Sequence, residues 1–316
     1  MSQMEYGGFL TADPKMQRVL QVAKNVASSK AAIIIYGESG TGKELLARFI
    51  HNHSPRASRR LLTLNCSSVP EAQLETMLFG MEPSAFAPGI ESRPGIFETA
   101  RESTLLLEDI DVLPMHLQAK LLRAIQEGEV ERVGGKQNIK VNVRLIVASK
   151  VSLSELVKMG RFRQDLFYRL NVIPLEIPAL RNRLKDIDLL TKHFVTVSCL
   201  MNSKPQMNIS EETLKKLRLW TWPGNVRELE NLIERVVLLT NTSVILPEHL
   251  SDPFPKAEQS ENQLKAGMTI HEAERQLIMA TLDYTNQNRT KAAKLLGISI
   301  RTLRNKLNEY REVNAI

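Results

Sequence analysis

The clearest chemical signal in this sequence is the run GESGTGKE at residues 37–44. It follows the apolar run AAIIIYG and precedes a helical pattern, so a strand should enter a glycine-rich turn and a helix should leave it. Backbone amides in such a turn, with the following helix N-terminus, can hold phosphates, and the lysine can reach the outer ones. A chance glycine turn is the alternative. The candidate phosphate-binding residues are Gly37, Glu38, Ser39, Gly40, Thr41, Gly42, Lys43 and Glu44.

Two carboxylates, Glu108 and Asp109, follow the apolar residues in the run TLLLEDID. The leucines predict a buried strand, and the carboxyl end of a parallel strand is where such sheets bind their ligands. Carboxylates there can hold magnesium and orient a water for attack on a phosphate. An acidic strand end that faces solvent is the alternative. Together with the glycine turn, the pair predicts a nucleotide site with Mg as a cofactor.

The C-terminal run NQNRTKAAKLLGISIRTLRNKLNEY has residue types that bind DNA. A glycine permits a tight turn between two predicted helices, and a serine can cap the second. Residues 283–316 contain seven Lys/Arg against three acids, and such side chains can contact bases and phosphates. A basic dimerisation tail is the alternative. The first of the two predicted helices is lined by Ala292, Ala293, Leu295 and Leu296, and on the second Leu303 and Leu307 are predicted to face inward. The candidate DNA-binding residues are Thr290, Lys291, Ser299, Arg301, Thr302, Arg304, Asn305 and Lys306.

These residues need a scaffold, and the patterns of the chain predict a layered one. Short β-rich runs at 31–37, 60–66, 103–110 and 143–149 alternate with amphipathic helical patterns, which indicates an α/β domain with a parallel sheet. From about Leu180 the patterns are helical, and a polar stretch with two prolines at 252–267 is typical of a linker. The predicted divisions are an α/β nucleotide-binding core at 1–178, a helical subdomain at 179–250, a linker at 251–268 and a DNA-binding domain at 269–316.

Composition limits the classes of protein that fit. The chain has 316 residues, 43% of them hydrophobic, and its formal net charge of +7 with a pI near 9.4 permits a nucleic-acid partner without proving one. No apolar run is long enough to span a bilayer, and the start MSQMEYGGFL is not a signal peptide, so we expect no membrane partner. Two cysteines cannot form a disulfide framework. We therefore expect a cytoplasmic protein.

Several motifs in one order resemble the bacterial enhancer-binding proteins, the AAA+ activators of sigma-54 RNA polymerase. The similar segments are GESGTGKELLARFIH, NCSSVPEAQLE, LFGMEPSAF, KLLRAIQEGEVERVGG, RFRQDLFYRLNVIPLEIPALRNR and WPGNVRELENLIERVV, and the tail is similar to a Fis-type helix-turn-helix. The resemblance runs from about Phe9 to the C-terminus. It implies an α/β P-loop AAA+ three-layer domain with a helical lid, followed by an all-α helix-turn-helix domain.

The resemblance also implies roles for individual residues. Arg163 and Arg169 match finger arginines that reach a neighbouring subunit's nucleotide, although from the residues alone they could be solvated helix arginines. Arg227 matches the lid arginine that senses the γ-phosphate, and Asn65 matches the switch asparagine that holds the catalytic acid. Fingers that act between subunits imply a ring. The implied partners are double-stranded DNA with palindromic sites, RNA polymerase holoenzyme with sigma-54, and further copies of the chain in a dimer and a hexameric ring.

Some residues depart from the family's pattern, and they belong to one mechanism. The family's strand ends in Asp, the metal ligand, then Glu, the base, whereas this chain has Glu108 and then Asp109. Lys150 stands where the family has a neutral amide. Since a misplacement near 1 Å can lower a catalytic rate on the order of a hundredfold, we predict ATP binding with Glu108 as the Mg ligand and impaired hydrolysis. An active ATPase that remodels sigma-54 RNA polymerase is the alternative.

The loop that the family uses to contact sigma-54 is also altered. The family reads Gly-Ala-Phe-Thr-Gly-Ala, and here the aromatic residue remains while the threonine hydroxyl is lost and a proline fixes φ where a flexible glycine stood. We therefore expect a non-standard sigma contact through this loop. The loop residues are Ser84, Ala85, Phe86, Ala87, Pro88 and Gly89.

We also expect that the protein lacks an N-terminal regulatory domain.

Overall fold

The computed structural model describes residues 4–6, 8–82, 92–250, 269–285 and 288–313. The chain forms two compact units, residues 1–250 and residues 251–316. In the described part of the first unit the helices are α1 (Pro14–Asn25), α2 (Lys43–Asn52), α3 (Glu71–Phe79), α4 (Ile96–Thr99), α5 (Met115–Glu127), α6 (Leu153–Lys158), α7 (Gln164–Leu170), α8 (Leu184–Met201), α9 (Glu211–Leu219) and α10 (Asn225–Leu239). The strands there are β1 (Met4–Tyr6), β2 (Phe9–Thr11), β3 (Ile33–Tyr36), β4 (Leu62–Asn65), β5 (Gly80–Met81), β6 (Arg93–Pro94), β7 (Thr104–Glu108), β8 (Glu129–Glu131), β9 (Asn138–Lys140), β10 (Arg144–Ser149), β11 (Ile173–Glu176), β12 (Asn208–Ile209) and β13 (Val244–Ile245). The second unit contains α11 (Ile270–Tyr284), α12 (Arg289–Leu296) and α13 (Ile300–Val313).

A five-stranded parallel sheet in the order β11-β3-β10-β7-β4 forms the middle layer of the first unit. β10 is buried along its whole length, which explains why its sequence is a continuous apolar run rather than an alternating one. Separate apolar clusters cover the two faces, one containing Leu105 and Leu107 and the other containing Leu106. The predicted α/β fold is therefore confirmed, and the carboxyl ends of all five strands meet at one edge.

The edge strand β11 was not predicted from the sequence. It covers Ile173–Glu176 and pairs in parallel with β3. Its four residues include Pro174, which cannot donate a ladder hydrogen bond and is tolerated because β11 lies at the sheet edge. A short run with a proline gives a weak strand signal, so this strand depends on tertiary pairing.

Helices α8, α9 and α10 form the predicted helical region after the sheet, with α8 packed on both of the others. Trp222 precedes α10 and is fully buried, and its indole N–H donates to the carbonyl oxygen of Leu217 at 2.9 Å. Trp222 and Asn225 both have positive φ, which folds the WPGN run into a compact turn ahead of α10. In the described residues no helix combines the length and the apolar character that crossing a membrane requires.

The second unit is a small helical bundle. Gly297 has φ +68° between α12 and α13, and the hydroxyl of Ser299 accepts the N–H of Thr302 at 3.0 Å, so the turn and the cap are as the sequence indicates. Leu295 is 63% exposed, whereas Leu296 packs against the buried cluster and continues the buried face of this short helix. The core of the bundle consists of Ile278, Leu282, Ala292, Ala293, Leu303 and Tyr310.

Candidate functional site: a nucleotide cavity at the carboxyl edge of the sheet

The glycine-rich turn lies at the carboxyl edge of the sheet, between β3 and α2. Gly40 and Gly42 have φ of +75° and +102°, a backbone conformation that favours glycine. α2 begins at Lys43, whose ammonium donates to the carbonyl oxygens of Gly37 at 2.7 Å and Glu38 at 3.0 Å. Burial lowers the pKa of Lys43, although the nearby Asp109 carboxylate opposes this shift. The turn thus has the open amides, the helix N-terminus and the lysine that phosphate binding needs.

The lid helix α10 docks directly on this turn. The N–H of Val226 donates to Gly40 at 3.0 Å, and the Asn225 amide donates to the carbonyl of Ser39 at 3.0 Å. A Cβ at Gly40 would lie 2.2 Å from the carbonyl oxygen of Gly224, so this close contact also requires glycine. A change in the lid angle must therefore alter the turn that would hold phosphate.

Glu38 adds an electrostatic link between the turn and the lid region. Its carboxylate accepts from the Arg181 guanidinium at 2.9 Å and from the Asn225 amide at 3.1 Å. The hydrogen bond from Arg181, with a smaller contribution from Asn225, lowers the pKa of Glu38 to about 2. Glu38 therefore carries a charge beside the cavity at neutral pH.

The two strand-end acids occupy different environments. Glu108 is half-buried, and burial, followed by the neighbouring Glu44 and Asp109 charges, raises its pKa. Asp109 has φ +53° and lies 2.9 Å from the ammonium of Lys150, with its side chain only 5% exposed. Burial alone would raise the pKa of Asp109, but the hydrogen bonds from Ser67 and Lys150 outweigh it and lower that pKa. Asp109 is thus ionised and already paired with a cation of its own chain.

The resemblance implied that Asn65 holds the catalytic acid. Among the described contacts it makes no direct hydrogen bond to Glu108 or Asp109. Its side-chain oxygen accepts from the backbone N–H of Ser67 at 2.8 Å and caps the short turn that follows β4. The Ser67 hydroxyl lies 2.7 Å from that oxygen and 2.6 Å from the Asp109 carboxylate. In the described residues Asn65 is therefore linked to Asp109 through the Ser67 hydroxyl.

A cavity of about 470 Å³ brings most of these residues together. The turn, both acids, Lys150 and Asn65 lie on one side, and Arg227 of α10 lies on the lid side. Apolar side chains complete the wall, contributed by Phe9, Leu10, Leu190, Phe194 and Val226. Among the described residues no group of three or more His, Cys, Asp or Glu side chains could hold a metal ion by itself.

Arg183 is a cavity residue that the sequence analysis missed. It is 1% exposed, lies 3.5 Å from the carbonyl oxygen of Thr41 and 3.6 Å from Asp186, and its Nε has no hydrogen-bond partner in the described residues. Asp186 in turn accepts from the hydroxyl of Thr11 and from the backbone N–H groups of Ala12 and Asp13. Because these contacts join residues more than 170 positions apart, no local sequence signal indicates them.

The expected finger arginines lie elsewhere. Neither Arg163 nor Arg169 lines the nucleotide cavity of its own chain as far as the structure describes it. Arg163 pairs with Asp165 at 2.7 Å on the surface, and Arg169 lines a different cavity. The sigma-contact loop, Ser84 to Gly89, lies outside the described residues.

The candidate DNA-binding residues lie in the second unit and are mostly exposed. Lys306 differs from the other candidates: it is partly buried, and its ammonium lies 2.7 Å from the Glu274 carboxylate of α11. Ser299 caps α13. The remaining candidates are exposed, namely Thr290, Lys291, Arg301, Thr302, Arg304 and Asn305.

Comparisons with known families agree with this architecture. Residues 9–176 match the model of the sigma-54 interaction domain, residues 181–267 match an AAA+ ATPase lid domain, and residues 269–310 match the bacterial regulatory proteins of the Fis family. The chain belongs to the sigma-54-dependent AAA+ activator family. Members of this family are ATPases. The lid match extends into the stretch that the sequence analysis assigned to a linker, and the domain boundaries stay predictions.

Individual relatives cover nearly the whole chain. The regulatory protein AtoC of Escherichia coli is 44% identical over 97% of this chain and 68% of its own length. The transcriptional regulatory protein FlbD of Caulobacter vibrioides is 45% identical over 94% of this chain and 69% of its own. Among solved structures, NtrX from Brucella abortus in complex with ATP superposes with a TM-score of 0.72 at 30% identity, covering 96% of this chain and 69% of that one.

Proposed function

We propose that this protein is an ATP-binding, sequence-specific DNA-binding transcription regulator whose ATP hydrolysis is restrained by the contact between Lys150 and Asp109. The observation that carries the proposal is the 2.9 Å separation of these two side chains at the end of the central strands. A base must be free to accept a proton or orient a water. An Asp109 that is paired with Lys150 and hydrogen-bonded to Ser67 is less available for that work.

Nucleotide binding is supported by the cavity and by the solved relatives. NtrX was solved in complex with ATP and with ADP. In this chain the turn at 37–44, with Lys43 beneath it, would hold the phosphates, and Arg227 faces the same cavity from the lid. The apolar wall around Phe9 and Phe194 would receive the base.

Glu108 has the chemistry for the magnesium ion that accompanies the nucleotide. Its carboxylate is half-buried beside Glu44 and Asp109, and these acids contribute to its raised pKa, so a divalent cation shared with the phosphates would offset their repulsion. Bound magnesium would neutralise phosphate charge. Asp109 fits the ion less well, because Lys150 already supplies a positive charge to it.

Two further parts of the proposal concern partners. The exposed α13 residues Arg301, Arg304 and Asn305 would read base edges in double-stranded DNA, and a dimer through the second unit would favour palindromic sites. Arg163 and Arg169 would complete the nucleotide site of a neighbouring subunit, so we propose a ring of six subunits. RNA polymerase holoenzyme is the proposed target of the regulator.

The second candidate function is an active ATPase that remodels sigma-54 RNA polymerase. The specific observation in its favour is that both acids and Arg227 line the nucleotide cavity together with residues 39–44 of the glycine turn. The family match over residues 9–176 also favours it. Under this reading the Lys150 contact opens when nucleotide binds.

Steady-state ATP hydrolysis across a protein concentration series, with ATP binding measured in the same samples, separates the two. Lys43→Ala is the blank for both readouts. We expect saturable ATP binding that the blank lacks, with turnover close to the blank at every concentration. Turnover that rises cooperatively with protein concentration would contradict restrained hydrolysis and favour the remodelling ATPase.

A further inference from the structure

A second cavity, of about 490 Å³, lies at the edge of the sheet opposite the nucleotide cavity. It is lined by Ala31 and Ala32 ahead of β3, by the start of β10 and by Val172 ahead of β11. Since these strands are parallel, their amino ends meet here, and we call this side of the sheet the amino edge. The four residues of β3, at about 3.3 Å each, separate it from the glycine turn by roughly 13 Å. The cavity is therefore separate from the nucleotide site already described.

The charges around this amino-edge cavity have one sign. Its lining includes Lys30, Arg56, Arg144 and Arg169, and no Asp or Glu lines it in the described part of the chain. Glu102 precedes β7 in the chain, and its carboxylate accepts a hydrogen bond from the Asn142 amide. It does not line the amino-edge cavity. Unbalanced positive charge in a concave site attracts an anion.

Of these four cationic residues, Arg56 and Arg144 are held by hydrogen bonds to backbone carbonyls, whereas Lys30 and Arg169 are exposed. Arg144 is 3% exposed, one of its terminal nitrogens donates to the carbonyl oxygen of Val26 at 3.0 Å, and its Nε has no hydrogen-bond partner in the described residues. Arg56 donates to the carbonyl of Asn142 at 2.9 Å. Burial and the neighbouring Arg56 charge lower the pKa of Arg144, as expected where positive charges lack a counter-charge.

Lys30 and Arg169 supply the exposed part of the charge. Both side chains are exposed, and within the described residues neither has an ion-pair partner. Guanidinium groups bind phosphate oxygens through two parallel hydrogen bonds, which makes arginine the usual residue for phosphate recognition. The cavity volume is within the range of sites that hold small ligands.

We propose that the amino-edge cavity binds a phosphate-bearing small molecule, with Lys30 and Arg169 closing on phosphate oxygens above the fixed Arg56 and Arg144. Apolar side chains of Phe97, Ile125 and Leu145 line the same cavity and would contact the rest of the ligand. Because Arg169 is also a proposed finger, an occupied cavity would compete with a neighbouring subunit for it. That consequence rests on the proposed function, whereas binding itself does not.

The test is isothermal titration of the full chain with inorganic pyrophosphate in a Lys43→Ala background, which removes the main lysine of the glycine turn. The variant pair is Lys30→Ala with Arg169→Ala. Both side chains are exposed, and thermal melts verify that the fold is kept. The matched control is Lys24→Ala with Arg161→Ala, which removes the same charge from exposed positions outside the cavity lining.

We expect saturable binding that weakens at least tenfold in the Lys30/Arg169 double variant and changes less than twofold in the control. Equal weakening in the two double variants would mean that pyrophosphate responds only to net charge, including that of the basic tail, and would overturn the proposal. Absence of saturable binding up to millimolar pyrophosphate would overturn it as well. Neither outcome bears on ATP binding at the glycine turn, so failure here and failure of the proposed function are distinguishable.

Discussion

Lys150 is the residue that most changes the expected chemistry of the nucleotide cavity. Its ammonium lies 2.9 Å from the Asp109 carboxylate, and the carboxylate is only 5% exposed while the lysine side chain is 42% exposed. A buried carboxylate gains from any cation that reaches it, because few waters compete for the charge. The position of Lys150 at the end of β10, beside β7 in the sheet, therefore sets the state of Asp109.

Lys150→Asn should raise ATP turnover, on the order of tenfold or more, because the amide is shorter and neutral and would release Asp109 to act on water. Turnover measured at saturating ATP checks this. Lys158→Asn removes an exposed lysine from the nearby α6 and should leave the rate unchanged. If both variants match the wild-type rate, the ion pair does not limit hydrolysis.

At the scale of elements, the contact between α10 and the glycine turn joins the lid to the phosphate site. The Asn225 side chain makes three of these connections, since its oxygen accepts the N–H of Leu180 at 2.8 Å and its amide donates to Glu38 and Ser39. Asn225 is fully buried with φ +52°, a conformation that asparagine adopts more readily than most residues. One side chain thus fixes the start of α10 against two loops.

Asn225→Ala should destabilise the lid by about 1–3 kcal/mol, because the buried N–H of Leu180 loses its acceptor. It should also weaken ATP binding. Both tryptophans of the chain, Trp220 and Trp222, lie just before α10. Urea unfolding monitored by tryptophan fluorescence therefore reports on the stability of the lid. Asn231→Ala on the exposed face of α10 is the control and should cost less than about 0.5 kcal/mol. Equal midpoints for the two variants would contradict the assigned role.

The element α13 should carry the sequence preference of DNA binding. Arg304→Ala should weaken binding to a duplex selected with the wild-type protein by about 1–3 kcal/mol while changing binding to random duplex much less. Lys294→Ala, an exposed change on α12, should weaken both by similar amounts. Fluorescence anisotropy at one fixed salt concentration compares the two variants. A parallel loss on both duplexes for Arg304→Ala would exclude a base contact.

At the scale of the whole molecule, the two proposed finger arginines lie away from the nucleotide cavity of their own chain. Arg163 and Arg169 do not line it, and Arg169 lies at the opposite edge of the sheet. Catalytic arginines supplied by a neighbouring subunit would explain this separation. The amino and carboxyl ends of parallel strands face opposite sides of the subunit, so a residue at the amino ends can reach the nucleotide of a neighbour. The proposed ring follows from that separation together with the family membership.

Subunit mixing tests this directly. In the Lys150→Asn background, Lys43→Ala subunits should lack nucleotide binding and Arg169→Ala subunits should lack a finger. Their mixture should hydrolyse ATP faster than either alone, because some interfaces combine an intact turn with an intact arginine. The control replaces Arg169→Ala by Arg161→Ala. Subunits with this change should hydrolyse ATP by themselves, without added Lys43→Ala subunits. A mixture that only averages the two separate rates would exclude action between subunits.

The sequence by itself determined the layered fold, because long apolar runs such as those of β3, β7 and β10 have few alternatives to a buried parallel sheet. It also located the glycine turn and the helix-turn-helix, whose residues are close together along the chain. Tertiary structure alone decided the edge strand β11, since its proline-containing run has no strong pattern.

Tertiary structure also decided which charges meet. Lys150 and Asp109 pair because β10 and β7 are adjacent in the sheet. Arg183 reaches the glycine turn because the lid folds over that turn. Lys306 of α13 contacts Glu274 of α11. The four cations of the amino-edge cavity come from separate parts of the chain. Local propensity and spacing encode elements, whereas the electrostatic state of a side chain depends on neighbours that only the packed fold supplies.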